Sequence, residues 1–540
     1  MEQGYDAIVI GAGHNGLTCA AYLGKAGLRT IVLERRDIVG GATVTEEVWP
    51  GYKVSTASYV VSLLSERVVA DLDLQRHGYR VYPIDPAYFA PLEGDRGVLM
   101  WEDPRKAAEE LAGIDGRDAA RYPDYSRDLE HLAHLVRPLL HRIPPGVEMR
   151  SLGDVKEALG LGTYMLRRRK DLSALVDLMT MSCADFLERY FRNDEIKGVL
   201  APGGVIGMWG GPMSPGSAYV LLHHRMGEVD GMSSAWGFVR GGMGTVAGAI
   251  ASSAAAAGVE IRTGAEVAGI GVDDGKARSV RLADGTELSA PIVASGIHPQ
   301  TTFLDLVGRG HLPDDLVTEI EHLRTRSASA KVNFALSELP DYSGRPGREL
   351  GPQHPECIIS PSLTYLERAW DAVKYGHVSE RPMIDAVIPT TKDDSIAPEG
   401  KHIMTCFTQY VPYSPADGPW DGAKRDALAD RVADTFEEYA PGFKGSIEHR
   451  QVLTPFDLEE RFGLLGGNIF HGEMALDQLL SFRPAPQVPA YSTPVKGLYL
   501  CGSGTHPGGG VMGIPGYNAA RVIVRDKNRA DRRDRAQRRA

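Results

Sequence analysis

The chain has 540 residues, more than one hydrophobic core usually serves, so two or three interleaved domains are expected. Hydrophobic residues at 43% and charged residues at 24% match soluble globular averages, which argues against a disordered chain and against a membrane-spanning body. The formal charge of -11, with no long basic stripe, gives no footprint for a nucleic-acid partner.

The first element is a short buried strand from Tyr5 to Ile10, followed by a helix from Leu17 to Lys25 and a second strand from Leu28 to Glu34. No basic segment with a following apolar run precedes this β-α-β unit, so no cleavable signal is expected. From about Pro104 to Asp194 the pattern predicts helices, clearest in Ser173 to Phe191, with turns at Pro123, Pro138 and Pro144-Pro145. Gly203 to Gly216 is too rich in glycine for a helix interior and reads as an irregular loop against a pocket. An alanine-rich helix (Thr245 to Ala257) precedes strands at Val259–Thr263, Glu266–Val272, Ala277–Leu282 and Glu287–Val293. Asp273-Asp274-Gly275 and Asp284-Gly285 supply the hairpin turns. Ser327 to Tyr413 mixes strands with loops and adds a sheet. The last elements are a strand from Gly497 to Cys501, a glycine-rich turn and a helix from about Gly516. From Arg525 a charged tail is expected to be helical at first and then disordered. No run of about 20 apolar residues appears, so no membrane span is expected.

Chemistry is written first in Gly11-Ala12-Gly13-His14-Asn15-Gly16, between strand and helix, with Glu34 closing the second strand eighteen residues after Gly16. Gly11 permits the tight turn, Gly13 lets the backbone approach a pyrophosphate, and Gly16 permits close packing. The helix start, with His14 and Asn15, turns its positive end to the phosphates, and Glu34 accepts hydrogen bonds from a ribose. Arg35 and the doublet Gly40-Gly41, followed by Ala42, bring the chain back past the same point. Gly242-Met243-Gly244 with Gly248 is one residue too long for a second fingerprint, so no independent NAD(P) site is expected.

The extension after Glu34 resembles FAD enzymes with two dinucleotide-binding-type domains. The segment from Leu498 to Gly516 (LYLCGSGTHPGGGVMGIPG) resembles the carboxy-terminal flavin motif of the phytoene desaturase and carotenoid isomerase family. Gly211 to His224, Gly241 to Gly244, Phe407 to Tyr410 and Gly466 to Gly472 are similar to the branch named for pyridine nucleotide-disulphide oxidoreductase domain-containing protein 2. The resemblance implies an α/β fold: a Rossmann-like FAD-binding domain built from both chain ends, with an inserted mixed sheet and helical substrate domain. Residues 1–75, 236–305 and 481–526 would form the first, 76–235 and 306–480 the second, and 527–540 the tail. It further implies non-covalent FAD, with the adenine end at Val267 and the flavin ring on Gly502 to Ile514, including Met512 and Gly513. Where many phytoene desaturases carry arginine after the glycine doublet, Ala42-Thr43 stands here, leaving Arg35 or the helix dipole to neutralise the pyrophosphate.

The implied reaction is hydride transfer with flavin N5 in a dehydrogenase, desaturase or isomerase acting on an apolar, polyene or lipid-like substrate. Oxygen, a quinone or NAD(P) would be the electron acceptor. An amine-oxidase-like enzyme and a flavin-stabilised interaction protein are the alternatives. Cys19, Cys183, Cys357, Cys406 and Cys501 lie far apart in sequence, with no CxxC, no disulfide framework and no metal-ligand spacing. A reducing cytoplasmic setting is expected, without the dithiol of a flavin disulfide reductase. His223, His224, His506 and Tyr410 are the candidates for contact with the reacting centre, and Tyr59, Trp209, Met213 and Trp236 suit an apolar pocket. Met165 to Leu172 sets four cations beside apolar residues, a pattern of peripheral membrane contact or of a solvated charged face. Oligomeric state is left open.

Overall fold

The computed structural model describes residues 4–149 and 152–539. Residues 1–3, 150, 151 and 540, which fall within the amino-terminal, helical and tail segments read above, lie outside the described residues. The apolar runs Ala7–Ile10 and Thr30–Leu33 are buried at every residue, as strands covered on both faces must be. They sit in a five-stranded parallel sheet whose spatial order is Glu260–Arg262, Thr30–Leu33, Ala7–Ile10, Ile292–Ser295 and Leu498–Leu500. Strands from residue 7 to residue 500 thus meet in one layer. The helices His14–Lys25, Gly244–Ala256 and Ile514–Arg539 pack on it, the first touching both others.

The second sheet has seven strands, ordered Ile447–Leu453, Ser329–Leu336, His402–Gln409, Met383–Val387, Glu356–Ile359, Tyr88–Leu92 and Arg96–Met100. Only the step from Glu356–Ile359 to Tyr88–Leu92 is parallel. One face packs on the amphipathic helix Gly422–Tyr439 through Val332, Phe334, Met404 and Phe436. The opposite face, carrying Lys331, Phe407 and Asp385, is also buried.

Several boundaries differ from the sequence reading. The expected strand Glu287–Val293 breaks into Glu287–Ser289, in a three-stranded meander, and Ile292–Ser295, in the parallel sheet. Pro291 lies between them, and a residue without an N–H is a natural place to leave one ladder for another. Pro138 lies inside the last turn of the helix Tyr122–Leu140 and marks no turn. The charged tail is helical throughout Ile514–Arg539, its interior supported by Lys527–Asp531 pairing, so the expected disorder after Arg525 is corrected. Asp274 and Gly275, both at positive φ, turn the Val267–Asp273/Lys276–Leu282 hairpin as their dipeptide predicts. Among the described residues no helix is long and apolar enough to cross a membrane.

Candidate functional site

A cavity of about 550 Å³ runs between the two sheets. Its floor is the turn from Ala7–Ile10 into the helix His14–Lys25. Gly11 holds φ 89°, and a methyl group built at Gly16 would overlap the Gly11 carbonyl oxygen, so the helix can approach the strand only with glycine there. At Gly13 a Cβ would meet no atom within 4 Å, because that face opens on the cavity. Gly40 and Gly41 pass beside it at φ 121° and 58°, and the Gly40 N–H donates to the Ala12 carbonyl at 2.8 Å. Glu34 accepts the backbone N–H groups of Ala12 (2.8 Å) and Arg36 (3.0 Å), which fixes the loop and leaves carboxylate lone pairs at the cavity.

Gly11, Gly13, His14, Asn15, Glu34 and Arg35 all line this cavity, as do Gly40, Gly41, Ala42 and Val267. Gly16, Gly502, Met512, Gly513 and Ile514 lie behind its wall; from the terminal motif it is Ser503, Gly510 and Val511 that reach it. Asn15 Nδ2 donates to Ser503 Oγ at 2.9 Å, tying the first helix to the last motif. Arg35 donates to the backbone carbonyls of Glu460 and Arg461, whereas Arg36 pairs with Glu46 at 2.7 Å. The helix at Gly244–Ala256 has no open amino terminus, since Gly244 N–H donates to Thr45 Oγ1 and Met243 N–H to Ser55 Oγ.

The far end of the cavity is aromatic and aliphatic: Tyr59, Val60, Ile206, Trp236, Phe407 and Phe470. Here sequence reasoning missed the principal polar groups. Lys331, Phe407 and Asp385 are direct cross-strand partners in one row of the seven-stranded sheet, so all three project to the same face. Lys331 Nζ lies 3.6 Å from the centre of the Tyr59 ring and has no hydrogen-bond partner, while Tyr59 donates to Asp385 Oδ2 at 2.6 Å. Burial pulls the Lys331 ammonium below its ordinary range, opposed by Asp385, and burial pushes the Asp385 carboxyl up, opposed by the Tyr59 hydroxyl and Lys331. Behind them the buried Glu356 carboxyl is also pushed well up by burial and by Asp385.

Of the four candidates for the reacting centre, only His224 lines the cavity; its ring stacks on Trp236, and its Nδ1 lies 2.8 Å from the Gly203 carbonyl. His223 Nε2 donates to the Gly509 carbonyl, His506 Nε2 to the Leu139 carbonyl and the Tyr410 hydroxyl to the Gly210 carbonyl. All three are buried structural bonds away from the cavity lining. Burial depresses His223 to about 3 and His506 to about 4, so both are neutral near pH 7. The buried guanidinium of Arg483 donates to the Phe470 and Ser503 carbonyls, joining two walls of the cavity. Cys19, Cys183, Cys357, Cys406 and Cys501 are all free and buried. Among the described residues no group of three or more His, Cys, Asp and Glu forms a metal site.

The cavity suits a dinucleotide with a flat ring. Asn15 Oδ1, Arg36 Nη1, His298 Nε2, His471 Nδ1 and Lys331 Nζ are buried along it without protein partners, and buried polar atoms ordinarily have one. The Gly13 face is kept clear where a pyrophosphate meets a helix start.

Comparison with known proteins agrees. Residues 16–523 match the family described as flavin containing amine oxidoreductase. The chain is 43% identical over 548 residues to pyridine nucleotide-disulfide oxidoreductase domain-containing protein 2 of Rattus norvegicus, covering 97% of this chain and 94% of that protein. It is 27% identical to a subunit of the limonene dehydrogenase of Castellaniella defragrans (96% and 94% covered). It is 26% identical to the lycopene-forming phytoene desaturase of Pseudescherichia vulneris (94% and 96%). The fold is that of putrescine oxidase solved with putrescine, at a TM-score of 0.58, 16% identity and 97% and 98% coverage. The chain therefore belongs to the flavin containing amine oxidoreductase family and is an FAD-dependent oxidoreductase.

Proposed function

We propose that the protein dehydrogenates a carbon–carbon bond of an uncharged, apolar substrate, of polyene, terpenoid or other lipid-like type. The observation that carries this reading is the distribution of carboxylates. Among the described residues, the four that line the cavity are Glu34 and Glu266, at the nucleotide end, and Glu459 and Glu460, on the helix that Arg35 grips. The aromatic end has none; Asp385 stands behind Tyr59, bonded to its hydroxyl. A protonated amine entering there would meet Lys331 and no carboxylate in the lining, whereas a hydrocarbon would meet Val60, Ile206, Trp236, Phe407 and Phe470. The relatives named for limonene and phytoene, both hydrocarbons, favour the same reading.

Bound FAD supplies the hydride acceptor for such a reaction. Gly13, the start of the His14–Lys25 helix and Glu34 would hold its phosphates and ribose, and Ser503, Gly510 and Val511 would lie along the ring. The apolar wall orients the substrate and excludes water. The carbon adjacent to the one losing hydride must lose a proton as the double bond forms, and Lys331 Nζ is the group poised to take it. Asp385, through Tyr59 and by its charge, tunes that proton affinity.

A second reading, oxidation of an amine, draws on the family description and on the Tyr59 and Phe407 rings, stacked at 6.0 Å. The deciding experiment is anaerobic reduction of the bound flavin, followed by absorbance, with monoterpene, carotenoid and aliphatic amine substrates. Bleaching by a hydrocarbon and not by amines is expected; rapid bleaching by amines alone overturns the reading. A flavin that no donor reduces would return the protein to the role of a flavin-stabilised interaction partner.

A further inference from the structure

We infer that the helix Leu152–Arg167 and the start of the next helix, Leu172–Thr180, form a surface that docks on an anionic lipid bilayer. The inference goes beyond the proposed reaction and does not depend on it. Six of the fifteen exposed large apolar side chains among the described residues fall within residues 147–176. Soluble chains scatter such residues singly, so the concentration marks a contact surface.

The described exposed positions of the first helix are 155, 156, 159, 162, 163, 166 and 167, one continuous stripe at helical spacing. That stripe presents Val155, Leu159 and Leu166, the two leucines 68% and 65% exposed, together with the cations Lys156 and Arg167. It carries no carboxylate, in a chain whose formal charge is -11. Arg169, Lys170 and the exposed Val176 follow immediately. Of the neighbouring acids, Glu148 is exposed ahead of the helix, between Val147 and Met149, Glu157 is partly buried, Asp154 accepts the Gly146 N–H, Asp171 lies beside His131, and Asp177 pairs with Arg189. The reverse side of the helix holds it to the body, with the Tyr164 hydroxyl donating to the Leu135 carbonyl at 2.7 Å and Met165 against the core.

Aliphatic side chains ringed by cations match the boundary between acyl chains and anionic headgroups. A second copy of the chain is a poorer occupant, because a two-fold contact would bring the same unpaired cations face to face. The surface is also connected to the cavity. Leu172–Thr180 packs on the helix Ser217–Arg225, which carries His224, and Met179 joins the apolar cluster of Ile469 and Phe470 that lines the aromatic end.

The test is flotation of the full-length flavoprotein with vesicles of phosphatidylcholine alone and of phosphatidylcholine with phosphatidylglycerol, at low and high salt. Binding only to the anionic vesicles, weakened by salt, is expected. In Leu159→Asp with Leu166→Asp it should fall at least ten-fold; in R167Q with R169Q and K170Q it should fall by roughly five-fold per cation removed. Both variants change exposed side chains, and unchanged flavin content and absorbance verify their fold. Binding by the leucine variant equal to that of the wild type, equal binding to neutral vesicles, or a dimer dissolved by the leucine variant with no vesicle binding would each overturn the inference. Vesicle binding is read independently of flavin reduction, so failure of the docking surface is distinct from failure of the proposed reaction.

Discussion

Two glycines three residues apart should respond to the same substitution in opposite ways. At Gly13 the backbone has φ -65° and ψ 162°, which any residue adopts, and an added methyl meets no atom within 4 Å. Gly13→Ala should leave the apoprotein as stable as the wild type, or more stable by up to about 1 kcal/mol through a less flexible unfolded chain. The methyl then occupies space that the pyrophosphate needs. An overpacking cost of about 1–3 kcal/mol corresponds to FAD binding weaker by roughly 5- to 150-fold. At Gly16 the methyl overlaps the Gly11 carbonyl oxygen, a backbone atom in a turn held at φ 89°. Alanine gains about 1 kcal/mol of helix propensity over glycine, but the strand-to-helix turn must move, and a net loss of about 2 kcal/mol in the apoprotein is expected. Urea unfolding of both apoproteins and titration with FAD by fluorescence quenching separate the effects. If Gly13→Ala destabilised the apoprotein as Gly16→Ala does, or bound FAD with unchanged affinity, the assignment of this turn to the pyrophosphate would fail.

Glu34→Ala strands the N–H groups of Ala12 and Arg36, so it should cost the apoprotein about 1–3 kcal/mol as well as FAD affinity; chemical denaturation without cofactor isolates the first effect. Lys331→Met removes a buried amine with no hydrogen-bond partner and should slow flavin reduction by roughly a hundred-fold or more. If Lys331 is the proton acceptor, the wild-type reduction rate should rise with pH through an ionisation below the ordinary lysine range, and that limb should vanish in Lys331→Met. Acid should destabilise the protein through its buried imidazoles. His14, His471 and His506 are pushed from 6.5 down to about 4 by burial, so the unfolded chain binds more protons between those values. Their stabilising contribution is whole above pH 6.5 and is lost as pH falls toward 4, on the order of 3 kcal/mol for each. His506→Gln, which keeps a donor for the Leu139 carbonyl, should flatten the fall in urea midpoint across that window; an unaltered slope would contradict the burial argument.

The nucleotide half of the site was legible because its chemistry is local. Strand, glycine turn, helix and acidic residue follow within about thirty residues as one β-α-β unit, and each glycine answers a constraint of its own neighbours. The aromatic half of the cavity is assembled from distant segments, and of the four candidates for the reacting centre named from sequence only His224 reaches its lining. His506 lies inside the flavin motif yet bonds to Leu139, and the adjacent His223 and His224 point to different places, as neighbours on a helix do. Lys331 did leave a trace: Ser329, Lys331 and Asn333 alternate with Ala330, Val332 and Phe334, the period of a strand with one apolar face. Such alternation ordinarily means that the polar face meets water. Here both faces are buried, and the second lies against a cavity, a distinction that depends on Tyr59 arriving from the other end of the chain to cover it. A lysine on the polar face of a strand whose neighbouring strands offer an aspartate and a phenylalanine in the same row is therefore a signal only once the strand order is known. That order, with Ser329–Leu336 beside His402–Gln409 and Met383–Val387 beyond it, is set by long-range pairing that no local pattern encodes.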